Sequence, residues 1–222
     1  MKMLPRSFFE RDPVVCAQEM IGCELVWGDC RGRVVETEAY AEHGDEACHT
    51  FLRKAARNFI ADHPPGAAYV YQNYGIHWLL NVLVKGPSGN GFVLVRAIDP
   101  TQGLDLMRAR RKLEPLRKLC SGPGKLTVAF GIGRAEHGMD LCSDPMRTFY
   151  PRQNPVEVAS DVRVGITKAM ALPWRFVERD SPFLSVKLSG VPSDSAPAFL
   201  GKRLHGPGQK KTEAASLRRL PR

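Results

Sequence analysis

Acidic and aromatic side chains recur at every second position in one stretch of the chain. In residues 34–40, Glu36, Glu38 and Tyr40 alternate with apolar or small residues, and side chains on a strand point to opposite faces in turn. If the face of Val35 is buried in a core, the acids point into a cleft or out to water. Residues 69–75 repeat the pattern with three tyrosines. Such a set would suit a site that holds a flat, electron-poor ring while water attacks next to it.

Strands, turns and helices must position these residues, and the sequence signals several of them. Asp12 and Pro13 are typical of an N-cap and a first helical position, and this helix should end near Gly22. Residues 73–75 mark the turn of a hairpin, and the polar residues 43–63 predict a loop with room for one helical turn. We further expect strands at 23–27, 33–40, 67–72, 76–84, 91–98, 156–160, 175–177 and 183–188, a helix at 102–112, and a loop that enters a helix within 118–132.

The composition limits the possible classes of protein. The chain has 222 residues, of which 43% are hydrophobic, so it can form one large domain or two small ones with a real core. A net charge of +9 favours an anionic partner, most commonly nucleic acid, with a membrane surface as the alternative. No apolar run reaches about 18 residues, so no transmembrane helix is expected, and the N-terminus does not have the pattern of a signal peptide.

The C-terminal segment differs from the rest of the chain. Residues 191–222 carry seven Lys and Arg against two acidic residues and are rich in Pro, Gly and Ser. We predict a loose leader at 1–6, one folded domain at 7–190 and a disordered basic tail at 191–222. The tail would either strengthen binding to phosphates or only keep the protein soluble, and the composition fits both roles equally.

The six cysteines are scattered along the chain without Cys-x-x-Cys or zinc spacing. In a chain of this size the scatter favours reduced thiols, and hence the cytoplasm. Cys48 next to His49 could form a nucleophile pair, but adjacent side chains on a strand point to opposite faces. We therefore interpret Cys48 as a small packing residue, and no His/Cys/Asp cluster indicates a metal site.

Taken together and in order, several short motifs resemble the alkyladenine (3-methyladenine) DNA glycosylase family. Each motif alone is weak, but together they span most of the chain, from about Arg6 to Leu188. The motifs are Glu-Thr-Glu-Ala-Tyr at 36–40, His49, the tyrosines and glycine of 69–75, Asn81, Leu-Val-Arg-Ala at 94–97, Gly-Pro-Gly-Lys-Leu at 122–126, Arg-Val-Gly at 163–165 and Ser-Pro at 181–182.

The resemblance implies a fold and a reaction. The fold would be a single domain of the α+β (mixed α/β) class, with a curved antiparallel β-sheet flanked by helices and a β-hairpin that protrudes toward DNA. The protein would be a monomeric, cytoplasmic or nucleoid-associated hydrolase without metal, cofactor or lyase activity. It would flip alkylated or deaminated purines out of double-stranded DNA and hydrolyse the N-glycosidic bond, leaving an abasic site.

The resemblance also assigns catalytic roles. Glu38 matches the general base of the family, and Arg96 with the main-chain carbonyl of Val164 would position the attacking water. Breaking a glycosidic bond through an oxocarbenium-like state requires such a carboxylate, and a neighbouring guanidinium would keep it ionised. Glu36 lies on the same face, and the residue chemistry alone does not choose between the two acids. An arginine partner would make Glu36 structural.

The base pocket follows from the same comparison. Tyr40, His49 and Tyr71 match the rings that sandwich the flipped base, and a cationic alkylpurine would gain about 0.5–2 kcal/mol from an aromatic face. Asn81 matches the position that excludes the 2-amino group of guanine. Rings at such spacing are more often core residues, and a strand-end hydrogen bond is the ordinary role of an Asn.

The predicted hairpin and a glycine-rich loop would contact the duplex. Tyr74, at the hairpin tip, would wedge into the gap that the flipped base leaves, with Ile76 and His77 touching the adjacent groove. Residues 121–125 lack the spacing of a P-loop, but their backbone amides and Lys125 could hold a DNA phosphate.

Two alternatives and one departure from the family pattern remain. A non-catalytic lesion-binding module on the same fold would not need Glu38 for turnover, and a hydrolase of free nucleosides would not need Tyr74. Ala61 and Asp62 occupy the place where the family often carries Met-Phe. We expect this change to affect lesion preference and pocket closure rather than the reaction type.

Overall fold

The fold is built on one curled sheet of eight strands. The computed structural model describes residues 2–189, apart from the side chain of Leu52, so the predicted tail at 191–222 lies outside the described residues. The strands are β1 (Glu24–Trp27), β2 (Cys30–Ala41), β3 (Ala68–Asn73), β4 (His77–Gly86), β5 (Gly89–Gln102), β6 (Arg147–Tyr150), β7 (Val158–Asp161) and β8 (Arg175–Glu178).

All strand pairs in this sheet are antiparallel. The order is β3-β4-β5-β2-β1-β6, and β8 pairs with both β2 and β7. With helices packed against the sheet, this arrangement confirms the predicted mixed α/β class with a curved antiparallel sheet in a single domain.

Strand β2 is the centre of the sheet. Its N-terminal part lies between β1 and β5, whereas residues 36–38 lie between β5 and β8. The register to β5 is irregular on both sides of Glu36, as in a β-bulge, which can redirect a side chain near a site. Because strands lie on both sides, Glu36 and Glu38 are fully buried. Of the two alternatives for these acids, a cleft or open water, their burial excludes open water.

Helices cover the faces of the sheet and bury its apolar residues. Thr37 points away from the acids and donates to the carbonyl of Ala17 at 2.7 Å, while Thr127 donates to the carbonyl of Trp78 at 2.7 Å. In the described residues 2–189, no helix is long and apolar enough to cross a bilayer. The helices are α1 (Pro13–Glu19), α2 (His49–Leu52), α3 (Lys54–Asp62), α4 (Leu104–Arg111) and α5 (Pro123–Phe130).

The segment 43–63 holds more structure than predicted. It forms α2 and α3 rather than a loop with one helical turn. Ala56, Phe59 and Ile60 are buried at helical spacing on one face of α3. They pack with Tyr69 in a small second core that supports the aromatic side chains of the site. Three apolar residues among many polar ones give too weak a helical periodicity to predict this helix from the sequence.

Three further segments differ from the predictions. Residues 183–188 form no strand because their polar groups bind buried side chains instead: Ser185 donates from its backbone N–H to Glu36 at 2.6 Å. Strand β6 was not predicted. The expected loose leader packs against the sheet, since Leu4 is buried and donates its backbone N–H to Phe149 at 2.8 Å.

The six cysteines are all free thiols, and five of them are buried. Cys48 stands at the N-terminus of α2 rather than on a strand. Burial raises the pKa of its thiol, which disfavours the thiolate that a nucleophile needs. The packing role predicted for Cys48 therefore stands, although the strand argument behind it was wrong.

Candidate active site

A cleft of about 670 Å³ opens on the sheet beside the β3–β4 hairpin. Aromatic rings and cationic side chains line it, and no Asp or Glu of the described residues does. Glu38 lies fully buried behind the wall, and Ile76 lies at the hairpin tip outside the lining. The other predicted site residues all line the cleft: Tyr40, His49, Tyr71, Tyr74, His77, Asn81, Arg96, Lys125 and Val164.

Glu38 is held by three donors, each from a residue of the cleft wall. Its Oε1 accepts the backbone N–H of Val164 at 2.7 Å. Its Oε2 accepts the hydroxyl of Tyr40 at 2.8 Å and the Nη1 of Arg96 at 3.3 Å. The contact with Glu38 is made by the backbone amide of Val164, and the role of the Val164 carbonyl in positioning the attacking water stays a prediction. The carboxylate therefore lies just behind the cleft, oriented by groups that face it.

Glu36 has different partners and a structural role. Its Oε1 accepts the Nε of Arg96 and the Nε of Arg175, each at 2.9 Å, and the hydroxyl of Ser185 at 2.7 Å. Burial alone would raise its pKa, but the two guanidinium groups and Ser185 hold that pKa below its usual value. With arginine partners and no position on the cleft, Glu36 fits the structural alternative.

Arg96 bridges the two acids. It is 7% exposed, bonds Glu36 through Nε and Glu38 through Nη1, and contacts Ser185 through Nη2 at 3.2 Å. Burial opposes its charge, but Glu38 and Glu36 together raise its pKa. Its guanidinium thus stays charged and fixes the separation of the two carboxylates.

Rings from different segments form the rest of the wall. The His49 and Tyr71 rings meet edge to face with centroids 4.3 Å apart. The Nδ1 of His49 lies 3.3 Å from the hydroxyl of Tyr69, whose ring stacks on Phe92 at 4.5 Å. Burial and then Arg53 lower the pKa of His49 to about 4, so the imidazole is neutral at pH 7. Sequence reasoning missed the support from Phe92, a residue within an apolar run.

Tyr40 and Tyr71 remain protonated phenols. Burial, followed by the charge of Glu38, raises the pKa of Tyr40 well above its usual value. Burial and then Tyr69 raise the pKa of Tyr71 to about 12. Tyr40 can therefore donate to the carboxylate at any physiological pH.

Asn81 makes the ordinary hydrogen bond of an Asn on a strand and also lines the cleft. Its amide donates to the carbonyl of Tyr69 on the paired strand at 3.2 Å. The side chain is 4% exposed and still lines the cleft. The hydrogen bond fixes the orientation of the amide in the cleft, and the exclusion of the 2-amino group of guanine stays a prediction.

The hairpin tip presents two apolar side chains to solvent. Tyr74 is 85% exposed and Ile76 is 71% exposed, and the loop is closed by the N–H of Ile76 donating to Asn73 at 3.1 Å. Tyr74 has φ 50° and Gly75 has φ 68°, and a left-handed backbone is unfavourable for a tyrosine. The turn thus holds an exposed ring at the cleft edge on a strained backbone.

The glycine-rich loop and α5 form the opposite rim. Lys125 is exposed in the first turn of α5, and Arg111 at the end of α4 also lines the cleft. A Cβ on Gly124 would lie 2.9 Å from the ring of His77, so this rim needs a glycine to approach the hairpin closely.

One buried ion pair beside the site was missed from the sequence. Arg163 binds Asp45 through two nitrogens at 2.6 and 2.7 Å, and neither side chain is exposed. The Arg163 guanidinium lies over the Tyr40 ring, 4.6 Å from its centroid. Arg163 stood within a recognised motif, next to Val164, but nothing marked Asp45 as its partner.

The departure from the family pattern lies away from the cleft. Ala61 and Asp62 are exposed at the C-terminal end of α3 and do not line the cleft. Their effect on a bound base would have to pass through α3, whose other face supports Tyr69.

Comparison with known proteins agrees with this geometry. Residues 7–182 match the family model described as Methylpurine-DNA glycosylase (MPG). A protein of Rhodopseudomonas palustris is 45% identical over 183 residues, covering 82% of this chain and 88% of its own length. A protein of Nitrosospira multiformis is 45% identical over 182 residues, with 82% and 93% coverage. Both are named "Putative 3-methyladenine DNA glycosylase". The chain therefore belongs to the methylpurine-DNA glycosylase family.

Proposed function

We propose that this protein binds a damaged purine, flipped out of double-stranded DNA, in the aromatic cleft and hydrolyses its N-glycosidic bond. The observation that carries the proposal is the position of Glu38, a buried carboxylate directly behind a wall of rings and cations. Cleft walls without any acidic side chain among the described residues suit a polyanionic substrate.

The chemistry would proceed with water as the nucleophile. As the bond between C1′ and the base nitrogen breaks, the electron pair leaves with the base and positive charge develops on the sugar. Glu38 stabilises that charge and accepts a proton from the water that attacks C1′. The products are an abasic site and the free base: a cationic alkylpurine leaves as a neutral base, whereas a neutral purine leaves as an anion that takes up a proton from solvent. No lysine amine takes part, so the strand is not cleaved.

The rings would select the base. Tyr40, His49 and Tyr71 all line the cleft and would offer faces for stacking. A cationic alkylpurine would gain about 0.5–2 kcal/mol from such faces, while a neutral deaminated purine such as hypoxanthine would gain stacking alone. Neutral His49 adds no repulsion against a cationic base.

Tyr74 would compensate for the cost of flipping. Opening a base step costs a few kcal/mol, which side-chain wedges in the minor groove offset. The ring at the hairpin tip is 85% exposed and stands at the cleft edge. Ile76, His77 and Lys125 would contact the flanking duplex.

One observation favours a second candidate, a lesion-binding module without turnover. Glu38 has no exposed surface, and both of its oxygens already accept hydrogen bonds. In that case the carboxylate would serve only to bind Arg96 and Tyr40.

The test uses the wild-type protein with duplexes that contain one hypoxanthine, and separately with methylated DNA. We expect strand breaks after alkali treatment and none without it, because abasic sites are alkali-labile and the enzyme has no lyase step. Tight binding without alkali-labile sites would favour the binding module. Release from free nucleosides, with none from DNA, would favour a nucleoside hydrolase.

A further inference from the structure

We propose that the buried Arg163–Asp45 ion pair positions the residues of the site. It holds the Tyr40 ring and the segment before His49 in place relative to the backbone amide of Val164. This inference rests on the proposed function, and it assigns two positioning residues that do not touch the base or the water.

Arg163 connects two parts of the backbone. Beyond its two bonds to Asp45, its Nη1 donates to the carbonyl of Ala39 at 2.9 Å and its Nη2 to the carbonyl of Ala169 at 3.3 Å. The first contact holds strand β2 next to Glu38, and the second closes the loop that follows Arg163. A planar guanidinium can serve these acceptors together, which a single ammonium cannot.

Asp45 connects the other side of the cleft. Its Oδ2 accepts the N–H of Ala41 at 3.2 Å, and its Oδ1 accepts the N–H of Ala47 at 3.1 Å. These bonds fold residues 42–48 back onto the end of β2. Because α2 begins at His49, the position of that ring depends on this segment.

The same arginine reaches the catalytic carboxylate through two neighbours. Its guanidinium backs the ring of Tyr40, whose hydroxyl donates to Glu38. The residue after Arg163 is Val164, whose N–H donates to the other oxygen of Glu38. A shift of Arg163 would therefore move two of the three donors of Glu38 at once.

Stability alone gives a poor account of this pair. Desolvation of two fully buried charges offsets most of their attraction. The distinctive feature is that its hydrogen bonds join two segments that are distant in the sequence, 39–48 and 163–169, at one point. A geometric role predicts effects on chemistry beyond any loss of stability.

The experiment compares Arg163→Lys with wild type in single-turnover base release from a saturating hypoxanthine duplex. Lysine keeps the charge opposite Asp45, so the variant should fold. Arg6→Lys is the matched control, since Arg6 also bonds an aspartate, Asp140, and a backbone carbonyl, outside the cleft. We expect about a 10–100-fold slower release for Arg163→Lys, as for a misplacement of about 1 Å, and a change within twofold for Arg6→Lys.

A double-mutant comparison separates positioning from a general loss of structure. Residues that share one hydrogen-bond network show non-additive effects, and Arg163 reaches Glu38 through Tyr40 and Val164. When Glu38 is already Gln, Arg163→Lys should therefore slow release by less than about threefold, whereas a general loss of structure would slow both backgrounds equally.

Each outcome decides the matter. A slower rate with little further loss in the Glu38→Gln background supports the positioning role, whereas the same loss in both backgrounds, or a rate within twofold of wild type, overturns it. Absence of release by the wild-type protein would instead refute the proposed function, and this inference would fall with it.

Discussion

Replacing Glu36 by Gln should destabilise the protein in a pH-dependent way. The fully buried carboxylate accepts from Arg96, Arg175 and the hydroxyl and backbone N–H of Ser185. A glutamine oxygen can replace one carboxylate oxygen, but its NH₂ group then faces a donor. Removing one partner of a buried pair costs about 3–5 kcal/mol. We expect a cost near the lower value because Arg96 still pairs with Glu38 and Arg175 still pairs with Asp161.

A loss of about 3 kcal/mol in unfolding free energy corresponds to a Tm lower by about 6–12 °C for a domain of this size. Urea unfolding at pH 7 measures the first quantity and calorimetry the second. Glu24→Gln is the matched control: Glu24 lies 3.6 Å from Arg31 in a half-exposed pair, and such pairs contribute about 0–1 kcal/mol.

The pH dependence follows from the lowered pKa of Glu36. In the unfolded chain a Glu has a pKa of about 4.3, so the stabilisation of the folded state by Glu36 is fully present above that pH. Below that pH the unfolded chain binds a proton at Glu36 before the folded protein does. The stabilisation therefore decreases, and it is lost once the pH falls below the pKa of Glu36 in the folded protein. The difference between wild type and Glu36→Gln should therefore be largest at pH 7 and shrink below pH 4. Equal stability at pH 7, or a difference independent of pH, would refute the structural role of Glu36.

Two other predictions concern DNA binding. Tyr74→Ser should weaken binding to a lesion duplex about tenfold in fluorescence anisotropy, because the variant forgoes about 1–3 kcal/mol of stacking on a base; unchanged affinity would remove the wedge role. Removal of residues 191–222 should reduce the steepness of log DNA affinity against log salt concentration by about 0.9 for each phosphate that the tail neutralises in the full-length protein. Single-turnover release should stay unchanged. A large decrease in release would mean that the tail is part of the folded domain.

The sequence predicted the central strands well because their signals are local. Alternation in residues 34–40 and the Asn-Tyr-Gly turn lie within a few positions of the residues they place, and β2, β3 and β4 formed close to the expected bounds. The polar segment 43–63 failed because three buried residues of α3 only gain meaning when they pack on Tyr69, which comes later in the chain.

The site was predictable where a motif carried it and unpredictable where partners are distant. Glu38 lies next to Arg96, as the resemblance implied, and next to the amide of Val164, while their catalytic roles stay predictions. Asp45 and Arg163 are 118 positions apart and Ser185 and Glu36 are 149 apart. No local pattern in the sequence indicates such pairings.

The most direct test of the account is a comparison of base release and lesion binding in Glu38→Gln. The change preserves shape and costs about 1.5–3 kcal/mol for the removal of a charged hydrogen bond, so the variant should fold. We predict release slower by about 10²–10⁴-fold, affinity for a hypoxanthine duplex within about threefold, and a smaller rate loss in Glu36→Gln at a temperature where it is folded. Release by Glu38→Gln at the wild-type rate would contradict the assignment of Glu38 as the base.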